Sequence, residues 1–239
     1  MLHALIRSLL PVLVTVFFAS GAVAEPAADL KDVISALEAG YSSLKDFQAD
    51  FSQKTTVVAI GREQKGNGEV MVKKTASSTA MFRFNYVKPK QQIVSNGKQV
   101  WFYTAENRQV MVSQVADLFK GGNAIALSYL TGLGRVSRDF SISFAKTARD
   151  KNGNYQLELI PKQATATLSK LQLTVSAAAV ERFRKDGSVQ DTFPVVSSVV
   201  HDAGGNQTRI DYSRVRVNKG LDSGSFNFKV PEGVAVIKP

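Results

Sequence analysis

No cysteine occurs anywhere in the sequence, and there are only two histidines, His3 and His201. Disulfides, thiolate metal sites and thiol nucleophiles are therefore excluded, and so is lipid attached to a cysteine. Histidine is too scarce for a histidine metal site or a paired-histidine acid–base site. His201 sits in or at the end of a strand pattern, where a single histidine is ordinarily structural. Acids are outnumbered by bases, 20 to 30. No His, Cys or acid cluster has metal-ligand spacing. No G-x-S-x-G elbow and no phosphate-binding loop occurs. Gly66-Asn67-Gly68 and Gly132-Leu133-Gly134 read as glycine turns. Asp50 and Glu69 could meet across a sheet, but nothing marks them as an acid–base pair. The reading is of a protein without an enzyme's residues, and no cofactor is expected.

Long apolar runs are equally scarce. The one candidate begins after Arg7, spans residues 9–18 and ends in Ala22-Val23-Ala24, with Glu25 following. The run is shorter than the ~20 residues of a membrane span. Its small-residue close reads as a secretory signal peptide, residues 1–24, cleaved on export. Residues 25–239 are then expected to form a single domain. The net charge falls from +10 to +9 with loss of Arg7. The bases are scattered, as Lys73-Lys74, Lys88/Lys90, Arg135/Arg138 and Arg214/Arg216. An exported chain seldom meets nucleic acid, so an anionic membrane surface or an acidic partner suits this charge better.

What the chain does have is alternation. Residues 29–45 carry Leu30, Val33, Ile34, Leu37, Tyr41 and Leu44 at helical spacing, with Asp29 placed to cap the start. After Asp46 the period changes to two, with Phe47, Ala49 and Phe51 on one side. Strands are expected at 69–73, 80–86 (Phe82, Phe84 and Tyr86 on one face) and 109–113. Asn96-Gly97 reads as a type I′ turn. Such a turn sets Val94 against Gln99, Ile93 against Val100, Gln92 against Trp101 and Gln91 against Phe102. Ile93, Val100 and Phe102 then share an apolar face. Residues 114–120 and 123–133 read as two short helices separated by Gly121-Gly122. They hold Leu118, Phe119, Ile125, Leu127, Leu130 and Leu133, without charge between Lys120 and Arg135. Alternation resumes with Phe140/Ile142/Phe144, Tyr155/Leu157/Leu159 and Leu171/Leu173/Val175. Two more strands follow at 195–200 and 207–217, and 226–237 reads as an edge. About ten or eleven sequential strands imply a mainly β, antiparallel sheet large enough to curl or close. Its apolar face offers a lipid site, and the oily helix pair offers a lid.

Four stretches carry a resemblance: LKDFQADFSQK from Leu44, FRFNYVKPKQQIVSNGKQVWFYTAENRQV from Phe82, LELIPK from Leu157 and NFKVPEGVAVI from Asn227. In order and spread along the chain, they resemble the outer-membrane lipoprotein carrier family, LolA. The resemblance implies an incomplete antiparallel β-barrel closed by a helical lid over an apolar cavity. It implies a monomeric periplasmic carrier of acylated lipoproteins. Its partners would be an inner-membrane ATP-driven transporter and an outer-membrane lipoprotein acceptor. The cavity would be lined by Phe51, Phe84, Ile93, Val100, Phe102, Phe140 and Ile142. Leu118, Phe119, Ile125, Leu127 and Leu130 would form the lid. Where the family has an arginine that locks the lid, this chain has Lys74, in VMVKKTASS, with Thr75 in place of the expected proline. Lysine lacks the planar donor fork, so a looser lock is expected. Phe82 matches an aromatic where partner proteins dock. Residues 176–194, SAAAVERFRKDGSVQDTFP, exceed the family's usual connection, and Asp186-Gly187 suggests an extra hairpin there. The alternative function is a lipid- or lipoprotein-sensing module on the same fold. A small outer-membrane barrel and a lipid-modifying enzyme fit less well. The first lacks a continuous outer apolar band, and the second lacks a nucleophile beside a base.

Overall fold

The leading amphipathic segment folds as helix α1 (Leu30–Ser43), started by Asp29, whose carboxylate accepts from the Asp32 N–H at 2.8 Å. It belongs to a computed structural model that describes residues 28–75, 80–118, 136–163, 166–189 and 192–238. The expected signal peptide lies outside the described residues. Helix α1 buries Val33, Ala36, Leu37, Gly40 and Tyr41. That face is the predicted stripe.

The strands that follow are β1 (Asp46–Val57), β2 (Arg62–Lys74), β3 (Ala80–Lys88), β4 (Gln91–Ser95), β5 (Gln99–Thr104) and β6 (Gln109–Gln114). Helix α2 (Val115–Leu118) contains Leu118 of the expected lid, and α3 (Val136–Asp139) follows the rest of it. The second half contains β7 (Phe140–Arg149), β8 (Tyr155–Pro161), β9 (Lys170–Val175), helix α4 (Ala177–Asp186), β10 (Val195–His201), β11 (Gln207–Val217) and β12 (Ala235–Ile237). They form one open sheet of twelve strands in the order β12-β6-β5-β4-β3-β2-β1-β11-β10-β9-β8-β7. Twelve strands exceed the ten or eleven expected, because the short β12 pairs alongside β6, in parallel. The two halves join where β1 pairs with β11, Phe47 opposite Val217. The sheet is not closed, and β7 and β12 are its edges.

Three local expectations are corrected. The β4–β5 connection is not a two-residue type I′ turn. Ser95 pairs with Val100, Val94 with Trp101 and Ile93 with Phe102. Gly97 has a positive φ of 86°, but Asn96 does not. Instead the Asn96 side chain accepts from the Lys98 and Gln99 N–H groups, both at 2.9 Å, and supports a longer loop. The register moves by two residues, so each side chain keeps its face. Next, Gly66-Asn67-Gly68 is no turn but lies within β2, where pairing with β3 shifts between Asn67 and Gly68. A Cβ on Gly68 would fall 1.9 Å from the Asn85 carbonyl oxygen, so only glycine admits this approach. Finally, the described residues of 176–194 hold a helix where an extra hairpin was expected. Ser176 caps α4 by accepting from the Ala179 N–H, and Gly187 ends it at φ 69° in the left-handed region. Asp186-Gly187 is a helix end. Helix α4 lies against α1, with Arg184 paired to Asp32 at 3.1 Å.

One apolar cluster runs through the molecule, from Val33 and Leu37 of α1 to Phe47, Phe82, Val100, Leu157, Leu173 and Val195. Each fully buried side chain of this size contributes about 1.5–3 kcal/mol. The opposite face of β3–β6 is covered differently. Phe228 lies 6.1 Å from Trp101 and 5.7 Å from Tyr103, and Arg83 Nη1 donates to the Ser225 carbonyl at 3.0 Å. The aromatic density of this hairpin therefore serves two faces, one to the inner cluster and one to the C-terminal segment.

Candidate functional site: the apolar inner face

Alternation in each strand decides what the inner face contains. On β1, Phe47, Ala49 and Phe51 are buried while Gln48, Asp50 and Ser52 point the other way. Register then lines the inward residues up across strands. Ala49 pairs with Val70, Val70 with Phe84, Phe84 with Ile93 and Ile93 with Phe102. A second row runs Phe47, Val72, Phe82, Ser95, Val100. These rows are apolar apart from the buried Ser95.

All seven residues expected to line a cavity fall in the one cluster. Phe51, Phe84, Val100 and Phe140 are buried, and Ile93, Phe102 and Ile142 are partly buried against them. The expected cavity lining left out Tyr86, Phe144, Val200 and Tyr212, which are also partly buried there. Their strand periodicity was the available signal for them. The ring of Phe51 stands edge-on to Phe84 at 5.8 Å and to Tyr86 at 4.8 Å. Tyr86 donates to Gln53 Oε1 at 2.8 Å, and burial pushes its phenol up to about 12. Burial likewise pushes Tyr212 up to about 12. Both rings are neutral, apolar surface at physiological pH.

Phe82 is 3% exposed, with its ring 6.3 Å from Phe84, so it is an interior residue of this face. Lys74 ends β2 and reaches α1, where its ammonium donates to the Tyr41 carbonyl. A cation on the last turn of a helix suits the helix dipole. Burial lowers the pKa of this lysine. Of the expected lid, Leu118 ends α2, while Phe119, Ile125, Leu127 and Leu130 lie outside the described residues. Two further ties flank that segment. Glu38 of α1 accepts from the Ser137 N–H and hydroxyl at 2.9 and 2.6 Å, and Lys162 donates to the Ser137 carbonyl at 3.0 Å.

Polar groups gather on the outer face. Asp50 does meet Glu69 across β1 and β2. Asp50 is paired with Arg214, and Glu69 accepts from Gln48 Nε2, so neither carboxylate is left free as a base. The depression beside them, about 510 Å³, is lined by Gln48, Ala49, Asp50, Glu69, Arg214, Val215 and Arg216. His201 shares a 3.1 Å hydrogen bond with Gln172 Oε1. Among the described residues, no three His, Cys, Asp or Glu side chains are grouped to hold a metal. No described helix is long and apolar enough to cross a membrane.

The geometry thus defines a class of protein, a mainly β open sheet that gathers its apolar side chains on one inner face. The family model described as outer membrane lipoprotein carrier protein LolA matches residues 42–229. The chain is 30% identical over 191 residues to the outer-membrane lipoprotein carrier protein of Azotobacter vinelandii, covering 80% of both chains. It is 31% identical to that of Nitrosomonas europaea, covering 80% of this chain and 82% of the relative. A solved structure of an uncharacterized conserved protein from Thermus thermophilus has TM-score 0.50 at 12% identity. It covers 87% of this chain and 98% of that one, and the likeness is one of fold alone. The chain belongs to the LolA family of outer-membrane lipoprotein carriers.

Proposed function

We propose that this protein is a non-enzymatic periplasmic carrier that holds the acyl chains of lipoproteins against its inner face. It takes them from an inner-membrane ATP-driven transporter and delivers them to an outer-membrane acceptor, working as a monomer. The observation that supports this reading best is the convergence of Phe51, Phe84, Ile93, Val100, Phe102, Phe140 and Ile142 in one apolar cluster, with polar groups turned outward. Physical need supports it too. Each buried methylene is worth about 0.8 kcal/mol. Three long acyl chains carry roughly 40 methylenes, so their exposure to water costs on the order of 30 kcal/mol. A carrier must replace the membrane and yet release the chains. A lid formed by Leu118, Phe119, Ile125, Leu127 and Leu130 would compete with cargo for the same face, and its reclosure would offset part of the release cost. Lys74, which bonds α1, would help hold the closed arrangement. Phe82 would dock a partner only in an opened state, since its ring is interior here.

The test is release of a radiolabelled outer-membrane lipoprotein from spheroplasts by the purified protein. A soluble one-to-one complex is the expected product. Binding of fluorescent fatty acids without lipoprotein release would assign the face to another lipid cargo and overturn the carrier role.

A further inference from the structure

The β1–β2 connection puts apolar side chains where solvent should meet polar ones. A single 3-10 turn, Val58–Ile60, forms its tip, with Val58 55% exposed and Ile60 59% exposed. The tip is held in place. Asn206, in the β10–β11 turn, accepts from the Val58 N–H at 2.9 Å. Asn206 is itself gripped by Asp202, which accepts from its N–H at 2.9 Å and its amide at 2.8 Å. A free loop would fold these aliphatics inward, whereas this chain of bonds presents them. Val87, 72% exposed at the end of β3, lies level with the depression below rather than with the tip. It sits in a pairing shift, where Asn67 opposes Lys88 and Gly68 opposes Tyr86.

Below the tip the surface is cationic. A depression of about 760 Å³ is lined by Lys54, Lys65, Lys88 and Arg209, with Asp211 as its one acid and Gln53 among its neutral residues. Lys54 is paired with Glu63 at 2.5 Å, and Arg209 with Asp211 at 2.6 Å. Arg62 and Lys90 stand at the adjoining turns. By the strand rise, the nearest cations of the depression, Lys54 and Lys65, lie roughly 13–16 Å below Val58 and Ile60. With those lysines at the phosphate layer, the tip reaches the headgroup–acyl boundary.

We propose that this hairpin end docks on an anionic lipid surface, with Val58 and Ile60 entering the acyl boundary and the basic depression receiving lipid phosphates. The charge favours this occupant over an apolar protein groove, since Lys54, Arg62, Lys65, Lys88 and Arg209 outnumber Glu63, Asp202 and Asp211 at this end. The inference does not rest on the carrier reading, which concerns the opposite, inner face.

The test is sedimentation of the mature protein with vesicles of phosphatidylethanolamine and phosphatidylglycerol, free of any lipoprotein. Co-sedimentation is expected at low salt and should weaken at least about fivefold as salt rises or when neutral phosphatidylcholine replaces the anionic mixture. Val58→Asp with Ile60→Asp should lower partitioning about tenfold, and Lys65→Glu with Lys88→Glu by a similar factor. These are exposed positions, and circular dichroism checks the fold of each variant. Absence of binding to the anionic vesicles overturns the proposal, as does binding that both double variants retain, which would mark lipid uptake by the inner face. Lipoprotein release from spheroplasts reads the carrier role separately, so the two can fail independently.

Discussion

The ammonium of Lys74, at the end of β2, donates to the backbone carbonyl of Tyr41 in the last turn of α1. The bond ties the helix that crosses the inner face to the sheet beneath it. Burial opposes the charge and lowers its pKa, so the bond and the helix dipole are set against a desolvation cost. Lys74→Met removes both and should change stability by less than about 1 kcal/mol, whereas Lys74→Ala also strips the packed stem and should cost about 1–2 kcal/mol. Urea titration of the two variants distinguishes these outcomes. Lys74→Arg offers a multidentate grip and should slow lipoprotein transfer roughly threefold, measured as delivery to acceptor-containing membranes.

Gly68 and the Asn85 carbonyl approach so closely that a Cβ would lie 1.9 Å from the oxygen. The clash is with backbone, which cannot swing aside as a side chain would. Gly68→Ala should therefore break the β2–β3 pairing and cost several kcal/mol, about 3 or more. Thermal unfolding checks it, and a loss under about 1 kcal/mol would show that the bulge relaxes.

Sequence periodicity was sufficient for whatever depends on local spacing. The stripe of α1 and the inward set Phe47, Ala49 and Phe51 both follow from it. It failed where a side chain or a distant strand decided. Asn96 turned an apparent two-residue hairpin into a longer loop through its own carbonyl oxygen. Asp186-Gly187 has the same letters in a hairpin and at a helix end, and Ser176 at the other end settled the matter. The pairing of Phe47 with Val217 joins residues far apart in the chain, which no local pattern encodes. The seven residues expected at the cavity share one apolar cluster because a face needs only parity, and a register error of two leaves parity intact.

Tyr86 and Tyr212 are held neutral by burial, each with its pKa raised from 10.0 to about 12. Unfolding frees both phenols to ionise at the lower value. Their contribution to stability is complete below about pH 10 and is lost as the pH rises towards 12. Absorbance of phenolate should show three late-titrating tyrosines in the native protein, these two and Tyr41, whose phenol burial pushes up further still. Tyr86→Phe and Tyr212→Phe should each flatten the alkaline fall in stability, and a slope unchanged in both variants would count against this assignment.

The inner face contains two kinds of apolar residue, and they should answer differently to truncation. Phe140 is fully enclosed, whereas Ile142 and Phe102 are only partly buried. Enclosed side chains stabilise the fold through packing already complete without a ligand, so Phe140→Ala should cost about 3–5 kcal/mol. Ile142→Ala and Phe102→Ala remove surface that an acyl chain would complete. Each should cost less, about 1–2 kcal/mol, because less area is withdrawn from water. If these residues hold the chain, the pair together should weaken binding of a fluorescent fatty acid about tenfold, which corresponds to ~1.4 kcal/mol. Measuring both quantities on the same variants separates a binding face from ordinary core. Affinity that falls in proportion to stability in all three would make the face a core only, while affinity lost in Ile142→Ala and Phe102→Ala at little cost in stability identifies where the lipid lies.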